Sequence, residues 1–189
     1  MIEHGQTWKD MGAKGWRRVV ASPEPKGFVE IGAIRALLDS GHVVVTGGGG
    51  GIPVGRRDGV WDGVDAVIDK DYASAELALQ LEAEALVLIT GVASVQLDFG
   101  KPTQRALTTI GVDEAEKYLA DGQFPPGSMG PKVRAATQFL RNGGELAVIT
   151  NSQLVERTLR NQSGPGEAIG TRITRVDSRN KASRNEAIA

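Results

Sequence analysis

Apolar residues in this chain fall into two patterns that take turns along it. Short, mainly apolar stretches, several of them β-branched, occupy residues 16–20, 42–46, 64–68, 86–89 and 146–149 and predict strands, with shorter strands near 95–99 and 171–176. Between them, apolar residues recur at spacings of three and four: Ile31, Ile34, Leu37 and Leu38; Ala73, Leu77 and Leu81; Val133, Ala136, Phe139 and Leu140; and a shorter set at Leu154, Val155 and Leu159. Each set forms one apolar stripe on a helix. Ser40-Gly41 and Asn142-Gly143-Gly144 supply stops, Pro131 suits a first helical turn, and Asp113 with Glu116 is a capping-box variant that would start a short helix through Leu119. Residues 1–12 read as polar and irregular, 55–63 as a loop, 73–84 as a helix and 178–189 as a frayed polar tail. Strand, helix and strand in alternation mean parallel βαβ units, so residues 1–189 are expected to form a single α/β domain. Ligands of such an open sheet sit at the C-terminal ends of its strands.

The most distinctive stretch is Val43-Val44-Val45-Thr46 running into five glycines, Gly47 to Gly51. Three valines fit a strand buried on both faces, and the glycines allow a tight turn whose bare N–H groups can approach an anion. A flexible turn between strands is the plainer alternative. The run is not a P-loop, because no Gly-Lys-Ser/Thr follows, and Ile52, Pro53 or Val54 occupies the place of the last glycine of a dinucleotide fingerprint.

Composition narrows the chemistry. The 22 Lys+Arg balance 23 Asp+Glu, so no global field points to nucleic acid or an anionic membrane as partner. With no cysteine and two histidines, His4 and His42, the chain has no thiol nucleophile and no expected metal site. The longest apolar run, residues 85–95, is too short for the roughly 20 residues of a membrane span. The first residues lack the basic and apolar regions of a signal peptide, so the cytoplasm is the expected compartment.

Lys70 follows a predicted buried strand between Asp69 and Asp71, and Lys132 falls in the first turn of a predicted helix, where free N–H groups also point outward. Lysines so placed suit phosphoryl transfer, which asks mainly for stabilisation of negative charge. Taken singly, each has a plainer reading: Lys70 as a solvated edge charge, Lys132 as a surface helix residue, Asp71 as a helix N-cap.

Four ordered segments then act together: Gly15-Trp16-Arg17-Arg18-Val19-Val20-Ala21-Ser22-Pro23-Glu24-Pro25, the stretch from Gly47 to Val54, Ala66-Val67-Ile68-Asp69-Lys70-Asp71, and Gly122-Gln123-Phe124-Pro125-Pro126-Gly127-Ser128-Met129-Gly130-Pro131-Lys132-Val133. In this order they closely resemble the carbamate kinases of the amino acid kinase superfamily, over residues 10–176. The resemblance implies a three-layer αβα sandwich with a mostly parallel open sheet, and the reaction ATP + carbamate ⇌ ADP + carbamoyl phosphate of arginine fermentation. It implies ATP/ADP with Mg2+ as cofactor, and a homodimer. It assigns Lys70 and Lys132 as phosphate-binding, transition-state lysines held by Asp71. Gly47, Gly48 and Gly49 would line the site, with Thr90, Val92, Ser128 and Met129 bordering the nucleotide.

The sequence departs from that pattern in two ways. Ala93 stands where the family has an aspartate after Thr-x-Val, which removes a polar contact near the nucleotide. The likeness also covers only the family's C-terminal, nucleotide-side part, without the Gly-Gly-Asn loop and His-Gly-Asn-Gly segment that hold the transferring phosphoryl group and the carbamate. The expected partners are therefore a further copy of the chain or a complementing N-terminal polypeptide. A non-catalytic nucleotide-binding module is the alternative from a different class; a sister kinase acting on glutamate or uridylate fits the Ser-Pro-Glu-Pro and Gly-Ser-Met-Gly-Pro-Lys segments less well.

Overall fold

A computed structural model describes residues 2–3, 5–162, 167 and 169–175. The predicted tail at 178–189 lies outside them.

The first elements are β1 (Ile2–Glu3), β2 (Gln6–Asp10) and β3 (Trp16–Val19), an antiparallel sheet in the order β1-β2-β3. The expectation of an irregular N-terminus is corrected here: β2 pairs with β3 along its length, and Gly12 and Gly15, at φ +64° and +74°, allow the return between them. Helix α1 (Ile31–Asp39) follows, ended at Gly41, whose φ of +82° suits a helix stop.

Two predicted strands do not form. Residues 42–46 make no ladder, and residues 64–68 contribute only an isolated parallel bridge, Ala21 to Ala66. Among the described residues no neighbouring strand lies beside 42–46, and Val43 and Val45 are 96% and 97% exposed. Conversely, the predicted loop at 55–63 is a hairpin of β4 (Val54–Arg57) and β5 (Val60–Gly63). Its two turn residues, Asp58 and Gly59, both take positive φ, the conformation that matches the twist of a two-residue hairpin.

Most of the buried core comes from α2 (Lys70–Gln80) onward. Next come β6 (Ala85–Ile89), the short pair β7 (Gln96–Leu97) and β8 (Arg105–Ala106), β9 (Thr109–Gly111), α3 (Val112–Ala120), α4 (Met129–Arg141), β10 (Leu146–Thr150), α5 (Val155–Leu159) and β11 (Thr171–Thr174). The main sheet runs β6-β10-β11-β9; β6 with β10 and β11 with β9 are parallel, β10 with β11 antiparallel. The fold is therefore mixed α/β with a mostly parallel sheet.

Alternation along the strands sorts the layers. Leu86, Leu88, Ala147, Ile149 and Ile173 join Ala135, Ala136, Phe139 and Leu140 of α4 in one buried cluster. Helices α2 and α3 flank α4 over that face. The opposite face of β10 carries Thr150 against Thr158 of the short α5. Phe139 and Leu140, each about 1.5–3 kcal/mol of burial, make α4 the centre of the core. Packing there is tight: a Cβ at Gly144 would stand 2.2 Å from Phe139 Cε1.

The expected capping box at Asp113 and Glu116 is absent, since Gly111 is the N-cap of α3 and makes no side-chain cap. Both carboxylates instead accept from Arg141 at the end of α4, tying the two helices together.

Candidate active site

The sequence Asp69-Lys70-Asp71 offers two possible caps for α2, and the fold chooses the first. Asp69 has extended backbone, and its Oδ1 accepts from the Asp71 N–H at 2.8 Å. That leaves the Asp71 side chain free of capping duty, so the N-cap reading of Asp71 gives way to another role. Helix α2 packs on α4, and Lys132, in the first turn of α4, is carried to meet it. Lys132 Nζ donates to both carboxylate oxygens of Asp71, at 2.9 and 3.0 Å, and Lys70 Nζ donates to Oδ2 at 3.3 Å.

Burial divides the trio. Asp71 and Lys132 are 5% and 8% exposed, whereas the Lys70 side chain is 57% exposed. Burial works to lower the pKa of Lys70, but the charge and hydrogen bond of Asp71, with Asp69 nearby, outweigh it and hold the ammonium above its ordinary value. Lys70 therefore presents a persistent positive charge.

The trio lines a cleft of about 410 Å³. The N-terminal turns of α2 and α4 both border it, through Asp69, Lys70 and Asp71 on one side and Ser128, Met129, Pro131 and Lys132 on the other. Helix N-termini carry partial positive charge, so two of them with two ammonium groups favour an anion. The wall opposite is the segment after β6, which contributes Thr90, Val92, Ser94 and Gln96. Phe99 and Phe124 add apolar surface. A cationic end beside an apolar end suits a ligand with a phosphate tail and a flat ring.

Of the residues named from sequence, Lys70, Asp71, Lys132, Thr90, Val92, Ser128 and Met129 all border this cleft. Gly47, Gly48 and Gly49 are not among its lining residues; Gly48 and Gly49 are exposed and Gly47 half-buried. The glycine run still reaches the base of α2 through Gly50. At φ +131°, a Cβ there would lie 2.1 Å from the Ile68 carbonyl oxygen and 3.4 Å from the Lys70 nitrogen. Ser94, Gln96 and Phe99 were not named from sequence, and Phe124 only as part of the Gly122 to Val133 segment. A serine or a lone phenylalanine in a turn carries no signal for a cleft wall until the chain is folded.

Among the described residues no group of three His, Asp or Glu side chains could hold a metal ion. None of the described helices is long and apolar enough to cross a membrane.

A cleft of this kind at the start of two helices, on a mixed α/β sheet, suits an anionic ligand, and comparison with known families names the class. The chain belongs to the amino acid kinase family, whose model matches residues 7–151. Similar proteins within that family include carbamate kinases. The chain is 51% identical over 150 residues to the carbamate kinase of Thermoplasma volcanium, covering 79% of this chain and 49% of that protein. It is 49% identical over 152 residues to the carbamate kinase-like protein YahI of Escherichia coli, covering 80% and 48%. The solved carbamate kinase of Giardia lamblia bound to AMP-PNP superposes with a TM-score of 0.81 at 39% identity, covering 90% of this chain and 52% of that one. The chain thus spans about half the length of the relatives it matches.

Proposed function

We propose that this chain is the nucleotide-binding, C-terminal portion of a carbamate kinase-type phosphotransferase that interconverts ATP + carbamate and ADP + carbamoyl phosphate. The observation that carries the proposal is the Asp71 carboxylate bridging Lys70 and Lys132 at the rim of the cleft. Identity of 51% to a carbamate kinase supports the reaction, and the Giardia lamblia relative bound to AMP-PNP supports an adenine nucleotide as ligand.

In this reading a carbamate oxygen attacks the terminal phosphorus of ATP, the bond from that phosphorus to the ADP oxygen breaks, and the negative charge ends on ADP. Carbamate is already an anionic nucleophile, so no general base is required. Lys70, with an exposed side chain, would follow the transferring group, while Lys132, held by Asp71, would keep a constant position beside it. Thr90, Val92, Ser128 and Met129 would border the nucleotide. Mg2+ would partly neutralise the phosphate charge, which exceeds what two lysines sharing one carboxylate can balance. Gly47, Gly48 and Gly49 would join the site only if the loop folded further over α2.

The exposed Val43, Val45 and Ile52, together with the edge of β6 that no described strand covers, support association with another polypeptide, either a further copy or a complementing N-terminal part. A second reading, a nucleotide-binding module without turnover, is favoured by the position of Gly47–Gly49 outside the cleft. A coupled assay forming ATP from ADP and carbamoyl phosphate, run beside calorimetric ADP binding, separates the two. Turnover abolished by Lys132→Ala supports the kinase, ADP binding without turnover supports the module, and absence of both removes the nucleotide reading altogether.

A further inference from the structure

Behind the cleft wall lies a set of buried threonines that the phosphate chemistry does not use. Thr150, Thr158 and Thr171 are each 1% exposed or less, and all sit where β10, α5 and β11 converge. The Thr171 hydroxyl has both its capacities engaged: it accepts from the Val95 N–H at 2.9 Å and donates to the Leu107 carbonyl at 2.6 Å. Val95 and Leu107 are also joined directly, the Leu107 N–H donating to the Val95 carbonyl at 2.8 Å. One side-chain hydroxyl therefore stitches the end of the wall to the strand beyond it.

The start of the wall is held from the neighbouring strand. The Thr90 N–H donates to the Thr150 carbonyl at 2.8 Å, and the Thr150 hydroxyl lies 2.9 Å from the Ile169 carbonyl and 3.3 Å from that of Ala93. Thr158 closes over this point. Its hydroxyl also reaches the Ile169 carbonyl, and a Cβ at Gly170 would fall 2.3 Å from its Cγ2, so α5 and the start of β11 are locked together. Thr90, Val92, Ser94 and Gln96, which face the cleft, are thus suspended between two threonines that do not.

We propose that Thr171, backed by Thr150, is a positioning residue that sets the cleft wall and through it the affinity for an adenine nucleotide, an inference that rests on the nucleotide reading above. Replacing the hydroxyl by a methyl group would leave the buried Val95 N–H and the Leu107 carbonyl without this partner, and an orphaned buried donor is relieved only by movement of the segment that carries it.

The test compares Thr171→Val, Thr171→Ser and Thr137→Val in the full chain. Thr137 is the reference because its buried hydroxyl donates to Arg134 within α4. For Thr171→Val the ADP dissociation constant should rise about five- to tenfold, with Thr171→Ser within about twofold of wild type. Amide exchange at Val95 should accelerate in Thr171→Val while β10 is unchanged. Thr137→Val should lower the melting temperature and leave ADP affinity as it was. Unchanged ADP affinity in Thr171→Val, or an equal loss in Thr137→Val, would overturn the proposal. If the wild-type chain binds no ADP, the nucleotide reading fails by itself. Val95 exchange then still decides whether Thr171 holds the wall: acceleration supports it and unchanged exchange refutes it.

Discussion

Two apolar runs of similar character meet opposite fates in this molecule. Val43-Val44-Val45-Thr46 and Leu146-Ala147-Val148-Ile149-Thr150 both read as strands that end in threonine. Ala147, Val148 and Ile149 are wholly buried, while Val43 and Val45 are almost wholly exposed. The second run lies between β6 and β11 and beneath α4, so every backbone polar group has a partner within reach and every side chain has a surface to meet. The first run has neither among the described residues. Hydrophobic pattern therefore states what a segment can do, and the presence of neighbours decides whether it does it.

Substitutions can break or sharpen that contrast. The largest effect is expected at the joint between α2 and α4: Asp71→Ala leaves the Lys132 ammonium buried without its carboxylate and should cost about 3–5 kcal/mol in denaturant unfolding, with loss of ADP binding. Ile149→Ala, in the buried run, should cost about 2–5 kcal/mol by the same measurement. Gly50→Ala should destabilise by more than about 1 kcal/mol, because its Cβ collides with the Ile68 carbonyl. Gly48→Ala has open space and a φ of +50° that an L residue can adopt, so it should cost less than Gly50→Ala, which combines the collision with a φ of +131°. Val45→Ser should change stability by less than about 0.5 kcal/mol; a cost comparable with Ile149→Ala would mean that the exposed run is packed in solution.

The smallest effect concerns pH. Hydrogen bonds from Arg141 hold the Glu116 carboxyl below its ordinary value against a weaker opposing effect of burial. A depressed carboxyl stabilises the fold above its unfolded pKa, and this is lost as pH falls through the lower folded value. Melting temperatures of wild type and Glu116→Gln should therefore differ at pH 7 and converge as the solution is acidified below the ordinary glutamate value of 4.5.

Much of the second half of the molecule was legible because each strand and helix there satisfies its pattern locally and finds a neighbour close by in sequence. Helix α4, with Val133, Ala136, Phe139 and Leu140 inward, is the clearest case. The hairpin at Asp58-Gly59 was missed because its strands are short, charged and exposed, leaving only the turn pair as a signal. Within the site, Lys70, Asp71 and Lys132 were found by motif, but their division of labour was not. The sequence Asp69-Lys70-Asp71 is compatible with either aspartate as cap, and only the packing of α2 on α4 makes one of them a bridge. Thr150 and Thr171 were invisible for a similar reason, since a threonine in a strand is ordinary until its hydroxyl is seen to reach another segment.

The unequal shielding of the two ammonium groups around Asp71 has a practical consequence for reagents. An acylating probe directed at primary amines should modify Lys70 and spare Lys132, so the stoichiometry of labelling at these two positions reports whether α2 and α4 are still docked. Occupancy of the cleft by a polyanion should protect Lys70 in turn, giving a covalent footprint of ligand binding that needs no turnover.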